Sequence, residues 1–267
     1  MSNQTAQGEK MQRYLALYLV PLSFVVTVTT RARANEETFT TIDVPGASST
    51  AAAAINPRGD IVGQYFSAGV SHGFLLSGDD FTSIDFPGAS FTSAEGINPR
   101  GDIVGPYDDA GGMRHGYLLS HGSFTTIDFP GASFTHSRGI NPRGDIAGYY
   151  ISAGVTHGYL LSGDEFTSID FPGSSFTITW GINPRGDIVG YYIGDGVTHG
   201  FLLGEEEFTS IDFPGASLSI ALGINPRGDI VGLYDKASVR HGFLLSRRER
   251  DEDDGHNNDG GHDDAGR

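Results

Sequence analysis

The side chains best equipped for chemistry in this sequence are Glu95, His136, Arg138 and Trp180. A carboxylate, an imidazole, a guanidinium and an indole can together form an ion pair, a hydrogen-bonded chain and an Arg–aromatic stack, the contacts that recognise a polar ligand. Their placement singles them out. Glu95, Arg138 and Trp180 each precede the Gly that opens an Ile-Asn-Pro-Arg-Gly-Asp string, where two further copies carry Ala53 and Leu222. Two residues earlier the copies carry Ala51, Ser93, His136, Ile178 and Ile220, while the residue between stays small (Ala52, Ala94, Ser137, Thr179, Ala221). A spacing of two puts both variable columns on one face of a strand. One repeated core position does not accept Ala, Glu, Arg, Trp and Leu alike. The expectation is an asymmetric ligand-binding site of Glu95, His136, Arg138 and Trp180 at a central channel. Drift at a tolerant position is the alternative.

Other recurring polar residues read as structural. Arg-Gly-Asp occurs at 58–60, 100–102, 143–145, 185–187 and 227–229, with its Gly placed to close a turn. Its five copies reflect duplication, and an adhesive role is the weaker reading. One His recurs per copy (His72, His115, His157, His199, His241), expected to bond Asp60, Asp102, Asp145, Asp187 and Asp229 or a turn backbone. A second Asp set (Asp43, Asp85, Asp128, Asp170, Asp212) lies beside Pro-Gly and reads as turn chemistry. No Ser–His–Asp arrangement, phosphate loop or metal-ligand spacing stands out. Glycoside hydrolysis needs paired carboxylates, and Glu95 is the one acidic residue in the variable columns. The expectation is therefore no catalytic residue, no metal and no cofactor.

The elements that position these residues come from repetition. The Ile-Asn-Pro-Arg-Gly-Asp-Ile core starts at Ile55, Ile97, Ile140, Ile182 and Ile224, at spacings of 42, 43, 42 and 42 residues. The units run 39–80, 81–123, 124–165, 166–207 and 208–246. In the fourth, Phe166-Thr-Ser-Ile-Asp-Phe171 ends at Pro172-Gly173 and reads as a strand and turn. Phe176 to Ile182 is a second strand. Asn183-Pro184-Arg185-Gly186 is a hairpin turn, with Pro presetting φ and Gly in the left-handed position. Asp187 to Tyr192 and Val197 to Leu203 are the third and fourth strands. Phe201-Leu202-Leu203 is apolar on both faces, as a sheet covered by neighbours requires. Four short strands in each unit describe a propeller blade, with a β-solenoid as the structural rival.

The fold expectation is all-β: a five-bladed β-propeller of four-stranded antiparallel blades over residues 35–246. The first unit opens on an outer-strand sequence, Phe39-Thr40-Thr41-Ile42, and the fifth ends at His241-Gly-Phe-Leu-Leu-Ser246 with no such strand after it. Residues 39–44 are therefore expected to pair with residues 239–246 and close the ring. Lys10 and Arg13, an apolar run to Val28 and Ala32-Arg33-Ala34 predict a cleaved signal peptide over 1–34, with a retained anchor as the alternative. Residues 247–267, charged and free of aromatics, predict a disordered acidic tail. His256 and His262 in that tail sit among Asp residues, a weak attraction for divalent cations at most. A net charge of −16 argues against nucleic-acid binding, and the absence of Cys excludes disulfides and thiolate metal sites.

The pattern Gly-Ile-Asn-x-x-Gly-Asp-Ile-Val-Gly followed by His-Gly-Phe/Tyr-Leu-Leu resembles the bacterial extracellular repeats of the HAF family, named for His-Ala-Phe. This chain has Gly, as at Gly200, where that signature has Ala. The resemblance covers residues 39–246 and implies an exported, propeller-like protein without established catalysis. The functional expectation is a secreted or periplasmic, monomeric, non-catalytic binding protein with no membrane span after signal cleavage. Its ligand is expected to be a surface glycan or an envelope protein. A purely structural envelope role and a glycoside hydrolase are the alternatives.

Overall fold

The structure, a computed structural model, describes residues 39–246. The expected signal peptide and acidic tail lie outside the described residues. Every regular element described is a strand. Blade one comprises β1 (Ser49–Ile55), β2 (Ile61–Ser67), β3 (Val70–Ser77) and β4 (Asp80–Ile84). Blade two comprises β5 (Phe91–Thr92) and β6 (Gly96–Ile97), which share one strand position, then β7 (Ile103–Asp108), β8 (Arg114–Ser120) and β9 (Ser123–Ile127). Blade three comprises β10 (Phe134–Ile140), β11 (Ile146–Ser152), β12 (Val155–Ser162) and β13 (Glu165–Ile169). Blade four comprises β14 (Phe176–Ile182), β15 (Ile188–Gly194), β16 (Val197–Gly204) and β17 (Glu207–Ile211). Blade five comprises β18 (Leu218–Ile224), β19 (Ile230–Lys236) and β20 (Val239–Leu245). All pairings are antiparallel between consecutive positions, and the sheets form a five-bladed β-propeller. Each sequence repeat thus begins with the outer strand of the blade before it.

The repeated turn explains why the chain reverses at the same place each time. Asn183 Oδ1 accepts from the backbone N–H groups of Arg185, Gly186 and Asp187, while its Nδ2 donates to Asp187 Oδ2. This side chain replaces the partners that a tight turn leaves unmet. Gly186 sits at φ +97°, which a side chain would strain. The arginine of each turn closes on the Asp two residues later, and three reach the next blade: Arg58 to Pro99 O, Arg100 to Pro142 O and Arg143 to Pro184 O. Arg-Gly-Asp is therefore a fastening between blades, in keeping with the structural reading.

Four apolar clusters hold the blades together, each straddling one junction. Val62 packs with Ala94, Ile97 and Tyr117 of blade two, and Val104 with Ile140, Ile146 and Tyr159 of blade three. Ile169 packs with Ile188 and Phe201 of blade four, and Val189 with Ala221 and Ile230 of blade five. At roughly 1.5–3 kcal/mol for each large side chain buried, these junctions dominate the stability of the ring. Among the described residues no such cluster joins blade five to blade one. Val231, the counterpart of Val189, is 50% exposed against 0%. Leu244 and Ile55 are each 65% exposed.

The expected closure is not found. Among the described residues β20 pairs with β19 alone, so the fifth sheet shows three strands, and residues 41–44 carry no strand. The physical reason lies in the junction. An outer strand reaches its blade only when the blade that follows it in sequence packs against that blade, and among the described residues nothing covers Ile55, Val231 and Leu244 on the two end faces. The histidine expectation is corrected as well. His72, His115, His157 and His199 donate from Nδ1–H to Asp85, Asp128, Asp170 and Asp212, at 2.6–2.8 Å, and stack on the tyrosine of the neighbouring strand. Asp60, Asp102 and Asp145 instead take their turn Asn and Arg and a Ser from the third strand. Antiparallel register decides this: Gly73, one residue after His72, faces Ile84, which precedes Asp85.

Candidate functional site at the channel

The innermost strands of the five blades, β1, β5/β6, β10, β14 and β18, line one cavity of about 560 Å³. Ala53, Glu95, Arg138, Trp180 and Leu222 all face it. The strand register explains why this column varies. Pairing shifts between Ala52 and Ala54, Ser137 and Gly139, Thr179 and Gly181, and Ala221 and Gly223, so that Ala53, Arg138, Trp180 and Leu222 are bulge residues. In blade two the strand is interrupted outright at Glu95, whose N–H reaches Val104 O. A bulge leaves one residue outside the ladder and redirects its side chain. Here it turns the third-from-last residue of the inner strand toward the cavity without disturbing the small residue beside it.

That small residue is fixed by close packing. A Cβ on Gly148 would strike His136 O and the Tyr159 ring, and one on Gly190 would strike Ile178 O and the Phe201 ring. The ring of each third strand crosses the glycine of the second strand and ends against the inner strand. Tyr159 Oη thereby reaches Ser137 Oγ at 2.8 Å, and Tyr117 Oη donates to Ser93 O at 3.0 Å.

The four residues singled out from sequence come together. Arg138 Nη1 lies 2.9 Å from Glu95 Oε2, and the guanidinium carbon lies 3.5 Å from the Trp180 ring centroid. His136 Nε2 is 3.1 Å from the same Glu95 oxygen, and Tyr149 Oη is 3.1 Å from His136 Nδ1. A carboxylate only accepts, so Nε2–H donates to Glu95 and Nδ1 accepts from the tyrosine. Glu95 Oε1 accepts from no described residue. His136 differs from its three companions: it is buried behind Glu95 and does not line the cavity. It is a positioning group for the carboxylate.

Electrostatics agree with that arrangement. Burial lowers the His136 pKa below its ordinary value, more than Glu95 raises it, so the imidazole is neutral at pH 7. Burial works to raise the Glu95 pKa, but the His136 hydrogen bond and the charges of Arg138 and Arg114 outweigh it. The carboxylate therefore stays ionised. Burial raises the pKa of Tyr149 and of Tyr191, keeping both phenols protonated. Arg138 Nε is the one buried side-chain polar atom without a partner among the described residues. The aromatic faces of Trp180 and Tyr149 are its remaining neighbours.

Sequence reasoning passed over Tyr149 and Tyr191, which stand opposite His136 and Ile178 on the second strands. Their signal was present: the corresponding residues elsewhere are Gln64, Pro106 and Leu233, a third varying column. It also passed over Arg114, which pairs with Asp108 through two bonds of 2.6 and 2.9 Å and lies over Phe91. Among the described residues no three His, Cys, Asp or Glu side chains are grouped to hold a metal.

No family model and no curated protein matches the chain. Solved structures do. TolB from Acinetobacter baumannii aligns with a TM-score of 0.50 at 14% identity, over 65% of this chain and 46% of that one. This chain thus spans less than half of TolB. A catalytically inactive virginiamycin B lyase from Staphylococcus aureus, solved with quinupristin, aligns at 0.46 and 11% identity over 75% and 72% of the two chains. The Aleuria aurantia lectin with α-methyl-L-fucoside aligns at 0.45 and 14% identity over 73% and 72%. At 14% identity the likeness to TolB speaks for the fold alone.

Proposed function

We propose that this protein is a non-catalytic binding module whose channel takes a glycan, with Glu95, Arg138 and Trp180 as its contact residues. The observation that carries this reading is the stack of Arg138 between the Glu95 carboxylate and the Trp180 ring on the wall of a cavity built by all blades. A carboxylate oxygen without a donor among the described residues, a planar guanidinium fork and a half-buried indole on the cavity wall are complementary to a ligand dense in hydroxyl groups. His136 and Tyr149 hold the carboxylate in place, so its orientation is settled before the ligand arrives. Among the described residues Glu95 is the one carboxylate lining the cavity, whereas glycoside hydrolysis uses two. We infer further that the chain is an exported protein of the HAF-type repeat class, on the strength of its repeat residues and its charged, apolar, small-residue amino terminus.

A glycan array probed with the full chain tests the reading. Binding is expected to be lost in Trp180→Ala and Glu95→Gln and kept in Arg227→Ala, a turn residue of blade five outside the cavity. A silent array with the folded wild-type chain would contradict a glycan ligand. Turnover of a chromogenic glycoside abolished by Glu95→Gln would replace binding by hydrolysis.

A further inference from the structure

The channel has two unlike ends. At one, where the inner strands run into the Asn-Pro-Arg-Gly turns, Ile55, Ile97, Ile140, Ile182 and Ile224 line the cavity. Five aliphatic side chains offer a hydroxyl-bearing chain no hydrogen bond. A polar group carried among them would lose its water without gaining a partner. At the other end, where the inner strands begin, Phe91, Phe134 and Phe176 stand half-buried at the first positions of β5, β10 and β14.

Planar groups connect that second end to the cavity without a gap. The Arg114 guanidinium carbon lies 4.5 Å from the Phe91 ring centroid and 5.8 Å from that of Phe134. Phe134 stacks on Tyr149 at 5.5 Å, and Tyr149 lies 5.8 Å from the guanidinium carbon of Arg138, which rests on Trp180. Trp180 meets Tyr191 at 6.4 Å, and Tyr191 meets Phe176 at 5.8 Å. The belt belongs to blades two to four. Where blade three carries Phe134, His136 and Tyr149, blade one carries Ser49, Ala51 and Gln64, and blade five Leu218, Ile220 and Leu233. Charge along the belt is balanced. Arg138 is paired with Glu95 and Arg114 with Asp108, and among the described residues no other ionisable side chain lines the cavity. An anionic group that reached Arg138 would stand beside the Glu95 carboxylate, and the net charge of −16 would oppose its approach. The wall instead offers planes for the C–H faces of sugar rings, with one guanidinium and one carboxylate for their hydroxyls.

We propose, resting on the glycan reading of this site, that the ligand is a neutral glycan held by its chain end. The terminal sugar sits at Glu95, Arg138 and Trp180, and the sugars that follow leave along Tyr149 and Phe134. The isoleucine end gives a chain no polar partner, so the glycan enters from the aromatic end and stops in the channel rather than passing through it. The aromatic belt fixes the side of the channel along which it runs. Because both guanidiniums are already neutralised, affinity comes from stacking and hydroxyl contacts, which salt does not screen.

An array that sets neutral gluco-, manno- and galacto-oligosaccharides beside oligouronates and sialylated chains tests the class of ligand with the full wild-type protein. Hits are expected among the neutral chains alone, with an affinity that low and high salt leave unchanged. The polysaccharide matching the best neutral hit then serves as a soluble competitor, before and after partial acid hydrolysis at constant mass. Potency per unit mass is expected to rise in proportion to the number of chain ends. Phe134→Leu keeps an apolar side chain and removes the ring. It is expected to weaken binding of the matching tetrasaccharide roughly 2–10-fold and to leave the monosaccharide unchanged, whereas Trp180→Ala weakens both. Hits confined to charged glycans, or a potency that tracks mass and ignores the number of ends, would overturn this inference and leave the glycan reading standing. Equal losses for tetrasaccharide and monosaccharide in Phe134→Leu would overturn the path along blade three. A silent array removes the glycan reading, and this inference falls with it.

Discussion

Two positions only three residues apart in each unit behave in opposite ways. Asn56, Asn98, Asn141, Asn183 and Asn225 are identical, whereas Ala53, Glu95, Arg138, Trp180 and Leu222 share nothing. The asparagine bonds backbone groups whose positions recur in every blade, so any other side chain leaves several of them unmet. The bulge residue lies outside the ladder and faces the cavity, so the fold asks nothing specific of it. The difference separates scaffold from surface within four consecutive residues, and it locates function where repetition fails.

The largest expected effect lies on the scaffold side of that comparison. Asn183→Ala removes the acceptor of three backbone N–H groups and should destabilise the chain by about 2–4 kcal/mol, read as a lower denaturant midpoint. Trp180→Ala, three residues earlier, should move that midpoint far less. A result in which both substitutions cost the same would erase the distinction.

Next in size is Gly148→Ala. The new methyl meets His136 O and the Tyr159 ring, and an overpacking cost of about 1–3 kcal/mol is expected in chemical denaturation. Because His136 positions Glu95, this variant should also weaken ligand binding, which sharpens the link between packing and site.

The junctions offer a matched pair. Val189→Ala in a fully covered face should cost about 1–2 kcal/mol, whereas Val231→Ala, half exposed in the equivalent place, should cost under about 0.5 kcal/mol in dilute solution. Equal losses would mean that blade five is covered as the others are.

The smallest effect is a pH dependence. Burial keeps His136 neutral in the folded chain, while the unfolded chain binds the proton near pH 6.5. The stability contributed by the neutral imidazole is therefore full above about pH 6.5 and declines as the pH falls toward the lowered folded value. The ionised Glu95 adds a second decline, because its lowered pKa contributes stability above about pH 4.5 that is lost on further acidification. His136→Gln should flatten the melting temperature against pH between about 6.5 and 5 relative to the wild type. An unchanged slope would remove His136 from the account.

Much of this architecture was legible in the sequence because repetition multiplies weak local signals. A single Asn-Pro-Arg-Gly is a turn, and five at one period, each followed by an apolar run, are blades. Glu95, Arg138 and Trp180 were legible for the converse reason, as departures from the repeat. What stayed hidden depends on register and on packing between distant residues. Spacing alone could not tell that His72 would meet Asp85 across a strand pair and leave Asp60 to the turn. Alternation placed His136 beside Arg138 on the channel face, and the bulge between Ser137 and Gly139 turned Arg138 to the cavity and left His136 behind the wall. The closure of the ring failed for a similar reason. The strand 39–44 has every residue that pairing with β20 requires, but pairing also needs the end faces of blades one and five to touch, a property no short segment encodes.

The most direct test of the account combines Glu95→Ala, Arg138→Ala and Trp180→Ala in one chain, giving blades two to four the side chain that blade one already has at Ala53. Calorimetric titration with the best glycan from the array is to be set beside thermal melting of the same protein. The account predicts a melting transition as cooperative as that of the wild type together with loss of measurable binding. Undiminished affinity in the folded triple variant would contradict it.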